Sequence, residues 1–341
     1  MSLGAAREVI VIVMQQSRNA GRYGSSCVLA ALCAAFLFAG WPHFSPRTPT
    51  SPELAAQAKI SVATEVVLLP VRVTDASGKV VSGLTRENFS VYDNGRPQKI
   101  TFFQQADTPV TVGLLVDHSG SMAPKLRQVA AALYVFAHSS NPSDEMFVVN
   151  FSDGVALQPL DGQPFTNDAR VLERAVTAVS ASGQTALYDA VIEGLHHLQL
   201  GTLDKKALLI VSDGGDNASR HKYAEVLQLA QQSQPVIYSI GLVGGTLEEE
   251  NPGVLRRLAK DTGGLAFFPD SVESVVEISR AIAADLREQY TIGYAPERKG
   301  DASFRKVSVK VTRPGREKLR VRTRPGYTPA QPAAVAPGNK T

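Results

Sequence analysis

Two patterns of hydrophobic and polar positions divide the chain. In residues 59–107 apolar and polar positions alternate with period two, and turn sequences such as Asp93-Asn94-Gly95 separate the runs. In residues 108–286 short apolar runs alternate with segments of helical periodicity. Period-two alternation returns in residues 287–327, most clearly in 304–312. The pattern predicts a helix-containing middle segment between two all-β segments.

The middle segment predicts an α/β fold with a doubly wound, mostly parallel sheet, because short apolar strands alternate with amphipathic helices. A hairpin around Ser152 supplies one antiparallel edge, and Asp270 with Glu273 predicts a capping box for the last helix. The predicted strands are 111–116, 146–151, 155–160, 207–211, 236–241 and 265–268, and the predicted helices are 124–139, 169–179, 187–198, 224–233, 253–261 and 272–286.

The two flanking β segments have too few strands to bury a core separately. We therefore predict that they meet in one small β-sandwich, into which the α/β domain is inserted. The predicted organisation is a signal or anchor segment with a Pro-rich linker (1–58), the first part of the sandwich (59–107), the α/β domain (108–286), the second part of the sandwich (287–327) and a disordered tail (328–341).

Five oxygen-bearing side chains follow predicted strands or precede a predicted helix. Asp117, Ser119 and Ser121 form a D-x-S-x-S run after strand 111–116, Asp213 follows strand 207–211, and Thr185 precedes helix 187–198. The carboxyl ends of parallel strands meet at one edge of a sheet, where ligand sites gather. Two carboxylates and three hydroxyls form an all-oxygen set that suits a hard divalent cation.

This arrangement resembles the metal-ion-dependent adhesion site of von Willebrand factor A domains of the bacterial exported type. The family's D-x-S-x-S run, later Thr and later Asp each match here, and the resemblance covers residues 108–285. It implies that Ser119, Ser121 and Thr185 bind the cation directly, while Asp117 and Asp213 act directly or through water. The implied cation is Mg²⁺, with Mn²⁺ or Ca²⁺ as alternatives, and its open position would accept a carboxylate from a protein partner.

Each part of the pattern also has an ordinary structural interpretation. The D-x-S-x-S run and Thr185 are typical helix N-caps, and Asp213 is a typical turn residue before two glycines. Their occurrence together and in order favours the metal site. His118 and Asp216 are predicted at the partner-binding rim; the alternatives are a tolerated intervening position for His118 and a surface turn for Asp216.

Three other polar residues favour structural roles. His196 and His197 are adjacent on a predicted helix, so they are poorly spaced to share a metal ion. Asp189 is expected to make structural hydrogen bonds.

The favoured function is a metal-dependent protein-binding module for adhesion or envelope assembly, and not an enzyme. The alternatives are a Mg²⁺-dependent hydrolase resembling the haloacid-dehalogenase-like phosphatases, or a scaffold with a purely structural metal. The phosphatase pattern needs a second acid two residues after the nucleophile, where this chain has Ser119.

Charge and cysteine usage bear on partners and location. The net charge is +3, yet residues 286–327 carry twelve basic against four acidic residues. Because these alternate with Val and Leu, a solvated strand face is favoured over nucleic-acid or lipid binding.

The apolar run 27–41, preceded by arginines, predicts an export signal or a retained anchor. Both cysteines lie within it, so the exported part has no disulfide. We expect a periplasmic, cell-surface or secreted protein that contacts membrane only through this segment.

Overall fold

A computed structural model describes residues 66–105, 107–243, 250–296, 303–313 and 318–329. Its strands are Val67–Thr74 (β1), Phe89–Asp93 (β2), Arg96–Gln98 (β3), Ile100–Gln105 (β4), Val110–Asp117 (β5), Glu145–Phe151 (β6), Val155–Leu157 (β7), Lys205–Ser212 (β8), Val236–Gly241 (β9), Ala266–Phe267 (β10), Tyr290–Tyr294 (β11), Arg305–Val311 (β12), Arg320–Arg322 (β13) and Gly326–Tyr327 (β14). Its helices are Leu126–Ser139 (α1), Ala169–Thr177 (α2), Leu187–Leu198 (α3), Tyr223–Ser233 (α4), Pro252–Thr262 (α5) and Val275–Arg287 (α6).

The predicted signal or anchor segment, the linker and most of the predicted tail lie outside the described residues. Among the helices of the described ranges, none is both long enough and apolar enough to cross a membrane.

The central sheet has the strand order β10-β9-β8-β5-β6-β7. Neighbouring strands are parallel except at the edge, where β7 pairs antiparallel with β6. Every residue of β5 is buried, as a central strand covered on both faces requires. The prediction of a doubly wound, mostly parallel sheet with one antiparallel edge is confirmed.

The helices cover the sheet with the faces that their periodicity predicts. In α1 the buried side chains include Val129, Leu133 and Phe136, which recur at helical spacing. The last helix departs from the prediction, because a short 3-10 turn over Val272–Ser274 precedes α6. Ser274 is the N-cap residue of α6 and makes no side-chain capping bond, so the predicted Asp270–Glu273 capping box is wrong.

The flanking segments form two four-stranded sheets, and each sheet mixes strands from both segments. One has the order β13-β1-β11-β4 and the other β14-β12-β2-β3. Leu69 of β1 lies opposite Ile292 of β11, and Val91 of β2 lies opposite Val309 of β12. The sheets share one apolar core, so the prediction of a single sandwich around an inserted α/β domain is confirmed.

A cluster of polar side chains joins the sandwich to the inserted domain. Asp285 of α6 accepts hydrogen bonds from Arg322 of β13 at 2.5 Å and from Tyr238 of β9 at 2.5 Å. Arg72 of β1 lies 3.2 Å from the same carboxylate, and the Gln289 amide donates to it at 3.2 Å. Buried charges of this kind are stable only when they are paired, so this cluster fixes α6 and β9 against the sandwich.

Because β11 pairs with strands of the N-terminal segment, a substitution that creates a cavity at β11 should also destabilise those strands. Ile292 is fully buried and β11 lies between β1 and β4, so Ile292→Ala should cost about 2–5 kcal/mol in the free energy of unfolding. Hydrogen exchange should then accelerate in β1 and β4 as well as in β11. As a control, Leu200→Ala, at a side chain 64% exposed, should change neither measurement by much. Faster exchange confined to β11 would show that the two segments are independent.

Candidate functional site

Two acidic side chains emerge side by side at the carboxyl edge of the central sheet. Strand β5 ends at Asp117, and the neighbouring parallel strand β8 ends at Ser212, directly before Asp213. Val116 of β5 lies opposite Val211 of β8, so the two strand ends are level. Both carboxylates therefore lie where the sequence predicts them.

The Asp117 carboxylate is fully buried and held by two hydrogen bonds. One oxygen accepts from the Ser119 backbone N–H at 2.8 Å, and the other accepts from the Ser212 hydroxyl at 2.6 Å. Burial raises the pKa of Asp117, hydrogen bonds from Ser212 and Ser119 lower it in part, and the negative charge of Asp213 raises it slightly further. The edge thus concentrates negative charge that a cation would offset.

The hydroxyls of the D-x-S-x-S run connect the two carboxylates. A short 3-10 turn, Gly120–Met122, places Ser121 so that its hydroxyl donates to Asp213 at 2.6 Å. The Ser119 and Ser121 hydroxyl oxygens lie 3.1 Å apart. Adjacent ligands of an octahedral Mg²⁺ with bonds near 2.1 Å are about 3.0 Å apart, so this pair has a separation suited to a shared cation.

The loop that carries Thr185 is fastened to the same edge. The Thr185 N–H donates to the Asn217 side-chain oxygen at 2.8 Å, and the Thr185 carbonyl accepts from the Asn217 N–H at 3.0 Å. Two backbone hydrogen bonds join this loop to the D-x-S-x-S turn: Gly120 donates to Gly183 at 3.1 Å, and Ser182 donates to His118 at 2.8 Å. The three loops that carry the predicted ligands are therefore fixed to one another.

Gly183 is the position at which this junction depends on glycine. Its φ is +82°, and a Cβ there would lie 2.0 Å from an Asp153 carboxylate oxygen. The other Asp153 oxygen accepts from the Gln184 N–H at 2.9 Å. A larger residue at position 183 would displace Asp153 and the loop that leads to Thr185.

The donor set fits a hard cation. Ser119, Asp213 and Thr185 are 3–6% exposed and Ser121 is half-buried, so Ser121 is the most accessible of these four donors. Across the described ranges, no three His, Cys, Asp or Glu side chains are grouped as a metal site. A cation at this edge would thus depend on the hydroxyls as well as on the two carboxylates.

The structure corrects the predicted rim. His118 is fully buried, and its ring nitrogens lie 3.1 Å from the Val116 carbonyl and 2.9 Å from the Val176 carbonyl. The prediction that His118 lines a partner-binding rim is wrong, because its ring turns into the protein beneath α2.

Asp216 has a structural role in the loop after β8. Its carboxylate accepts from the Tyr188 N–H at 3.1 Å and from the Ser219 hydroxyl at 2.6 Å, and burial raises its pKa. These bonds hold the first turn of α3 and agree with the alternative of a turn residue.

Two of the three residues expected to have structural roles, Asp189 and His197, make structural contacts. Asp189 accepts hydrogen bonds from the Arg220 and His221 backbone N–H groups and contacts the His221 ring at 2.8 Å. His197 lies against Phe147, and its ring nitrogen lies 3.0 Å from the Pro164 carbonyl.

Sequence reasoning missed three residues that support the site, namely Ser212, Asn217 and Asp153. Ser212 carries the clearest signal, since it is the polar end of an otherwise apolar strand and precedes a predicted ligand. Asn217 and Asp153 act through loops distant in sequence from Thr185, and no local pattern marks them.

Ser212 should stabilise the metal-free protein by holding Asp117. Ser212→Ala removes a hydrogen bond to a buried carboxylate and should lower the free energy of unfolding by about 2 kcal/mol, measured by denaturant titration in chelator. Ser143, exposed on the loop before β6, supplies the matched control Ser143→Ala. A loss no greater than that of the control would contradict the assigned role.

Comparisons with known proteins identify the domain. Residues 112–281 match the von Willebrand factor type A domain. A search of curated proteins gives no match.

Several solved structures are similar to the chain. A von Willebrand factor type A protein from Catenulispora acidiphila is 14% identical over 71% of this chain and 74% of its own, with a TM-score of 0.48. BatB from Bacteroides thetaiotaomicron is 18% identical over 52% of this chain and 98% of its own, with a TM-score of 0.42. The vWF domain of the type V pili tip protein Mfa5 from Porphyromonas gingivalis is 12% identical over 59% of this chain and 99% of its own, with a TM-score of 0.43. The match over residues 112–281 therefore assigns this domain of the chain to the von Willebrand factor type A family.

Proposed function

We propose that the protein is a metal-dependent protein-binding module that acts outside the cytoplasm, in adhesion or envelope assembly. Domains of this family are generally protein-interaction modules and not enzymes. The metal dependence, the acidic ligand and the location are our proposals. The cation would be held by Asp117, Ser119, Ser121, Thr185 and Asp213, with Mg²⁺ as first choice and Mn²⁺ or Ca²⁺ as alternatives.

One observation carries the proposal: a continuous chain of short contacts links the two carboxylates through the two serines. Asp117 accepts from the Ser119 N–H at 2.8 Å, the Ser119 and Ser121 hydroxyls lie 3.1 Å apart, and Ser121 donates to Asp213 at 2.6 Å. Ordinary N-caps would bond to helix backbone N–H groups. The Ser119 cap position makes no side-chain capping bond, which favours the cation-binding interpretation over the N-cap alternative.

The hydrogen bonds of Asp117 also favour an acidic partner. Both of its oxygens are already bonded, to Ser119 and to Ser212, which favours contact with the cation through water. The cation's direct ligands would then be largely neutral hydroxyls. A divalent ion with such ligands attracts a carboxylate more strongly than a neutral oxygen.

The turn that carries Ser121 is the side of the site from which a partner can approach. Gly120 is exposed and Ser121 is half-buried, whereas Asp117 beneath them is fully buried. A side chain reaching the cation would therefore approach over the Gly120–Met122 turn. A protein partner that presents Asp or Glu fits this approach.

The proposed location rests on the sequence alone. The apolar run 27–41 with its preceding arginines is typical of an export signal or a retained anchor. Membrane contact is proposed only through that segment.

Metal binding should require Asp117 and depend on Thr185. Calorimetric titration of the full chain with Mg²⁺ or Mn²⁺ should give one site per chain. Asp117→Ala should abolish the heat of binding because it removes charge, and Thr185→Ala should weaken binding less because it removes a neutral ligand. Asp270→Ala, at an exposed carboxylate, is the matched control and should bind like the parent. Unchanged affinity in Asp117→Ala would refute the site.

Partner capture should require the cation. Immobilised protein exposed to an envelope fraction of its own organism should retain a partner in Mg²⁺, release it in excess chelator and recover it when Mg²⁺ or Mn²⁺ is restored. Asp117→Ala should fail to retain the partner, whereas Asp270→Ala should succeed. A partner retained equally in chelator would show that recognition uses another surface and would leave the metal a structural role.

A further inference from the structure

A cavity lies at the opposite edge of the central sheet, where the amino-terminal strand ends meet the sandwich. Its volume is about 210 Å³. Val110 and Lys205, at the starts of β5 and β8, line one side, and Leu68 of β1 and Thr291 of β11 line the other. A second, more apolar cavity of about 520 Å³ shares Leu68, Lys205 and Thr291 and extends to Phe102. The shared walls make the two cavities neighbours.

The first cavity is bordered by a buried cation that has no counter-ion in the described part of the chain. Arg324 is 3% exposed, and its guanidinium donates to the carbonyl of Gln234, another residue of the cavity wall. Its Nε has no hydrogen-bond partner, and within the described residues no carboxylate pairs with it. Burial lowers the pKa of Arg324 to about 10. A desolvated positive charge without an anionic partner is costly, which favours the binding of an anion.

Further polar atoms around the two cavities have no hydrogen-bond partner among the described residues. They are the Lys205 ammonium and the hydroxyls of Thr291 and Thr108, which together with Arg324 Nε make four of ten such buried atoms in the described part of the chain. Burial lowers the pKa of Lys205, and the charges of Asp107 and Asp144 partly offset that effect. Buried polar atoms are nearly always satisfied in native proteins, so their concentration at one place points to a ligand.

We propose that this pair of cavities is a second ligand-binding site, which takes a monocarboxylate with a short apolar chain. The planar carboxylate matches the fork of the Arg324 guanidinium, and the Lys205 ammonium and Thr291 hydroxyl are further donors. The apolar chain lies along Leu68 and Phe102, a side chain that is 40% exposed. The site is separate from the candidate metal centre and does not depend on its function.

The charge around the cavities favours a monoanion over a phosphate dianion. Arg324 carries the uncompensated charge, whereas Asp107 and Asp144 already offset part of the positive charge of Lys205. Asp204 is exposed and lines both cavities, so it repels a second negative charge. The cavity walls are also largely apolar, and a fully hydrated phosphate has no apolar surface to bury against them.

The test is calorimetric titration of the full chain in chelator, with hexanoate as the probe. Acetate, inorganic phosphate and hexanol serve as comparisons for chain length, charge and the carboxylate. We expect saturable binding of hexanoate, weaker binding of acetate, and none of hexanol or phosphate. The absence of saturable hexanoate binding, or phosphate binding as tight as that of hexanoate, would overturn the proposal.

Variants locate the site. Arg324→Met should weaken hexanoate binding by about tenfold or more, and it should fold, because an apolar side chain replaces an uncompensated buried charge. Arg320→Met, at an exposed arginine of β13, is the matched control and should bind like the parent. Equal affinity in Arg324→Met and the parent would overturn the assignment.

A second variant keeps the test decisive if Arg324→Met does not fold. Phe102→Ala shortens the apolar wall without touching the buried charge, so it should weaken hexanoate binding and leave acetate binding unchanged. Unchanged hexanoate affinity in Phe102→Ala would show that the chain does not lie along Phe102 and would overturn the two-cavity site.

Discussion

The burial of the Asp117 carboxylate is the constraint on which the candidate site depends. A charge at the end of a fully buried strand is stable only if neighbouring groups satisfy it. Ser212 does so from the next strand and Ser119 from the following turn. Satisfying Asp117 thus aligns β5 with β8 and sets the turn that places Ser121 near Asp213. The contacts that stabilise the carboxylate therefore also bring Ser119, Ser121 and Asp213 together.

The inserted architecture gives this edge a rigid base. The sandwich is built from both flanking segments, and the Asp285 cluster connects it to α6 and β9. Loops form the carboxyl edge of the sheet, which carries the candidate metal centre. The amino-terminal edge meets the sandwich, and there the buried Arg324 borders a cavity. The candidate metal centre and the cavity beside Arg324 and Lys205 therefore lie at opposite edges of one sheet.

Much of this could be predicted from the sequence, because it follows from local periodicity. The apolar runs that become β5 and β8 gave the strands, and the D-x-S-x-S run marked the loop after β5. The sandwich was predictable since each flanking segment has too few strands for a core. The position of His118 could not be predicted, because the strand ends at Asp117 and the next side chain turns under α2. Ser212 and Asn217 were missed because their contacts join residues far apart in sequence.

The most direct test of the central claim is anomalous scattering from crystals of the protein soaked in Mn²⁺. We predict one strong peak at the carboxyl edge of the sheet, about 2 Å from the hydroxyl oxygens of Ser119, Ser121 and Thr185. The peak should be lost from crystals of Asp117→Ala. A peak elsewhere with none at this edge, or a peak that survives in Asp117→Ala, would contradict the proposed metal site.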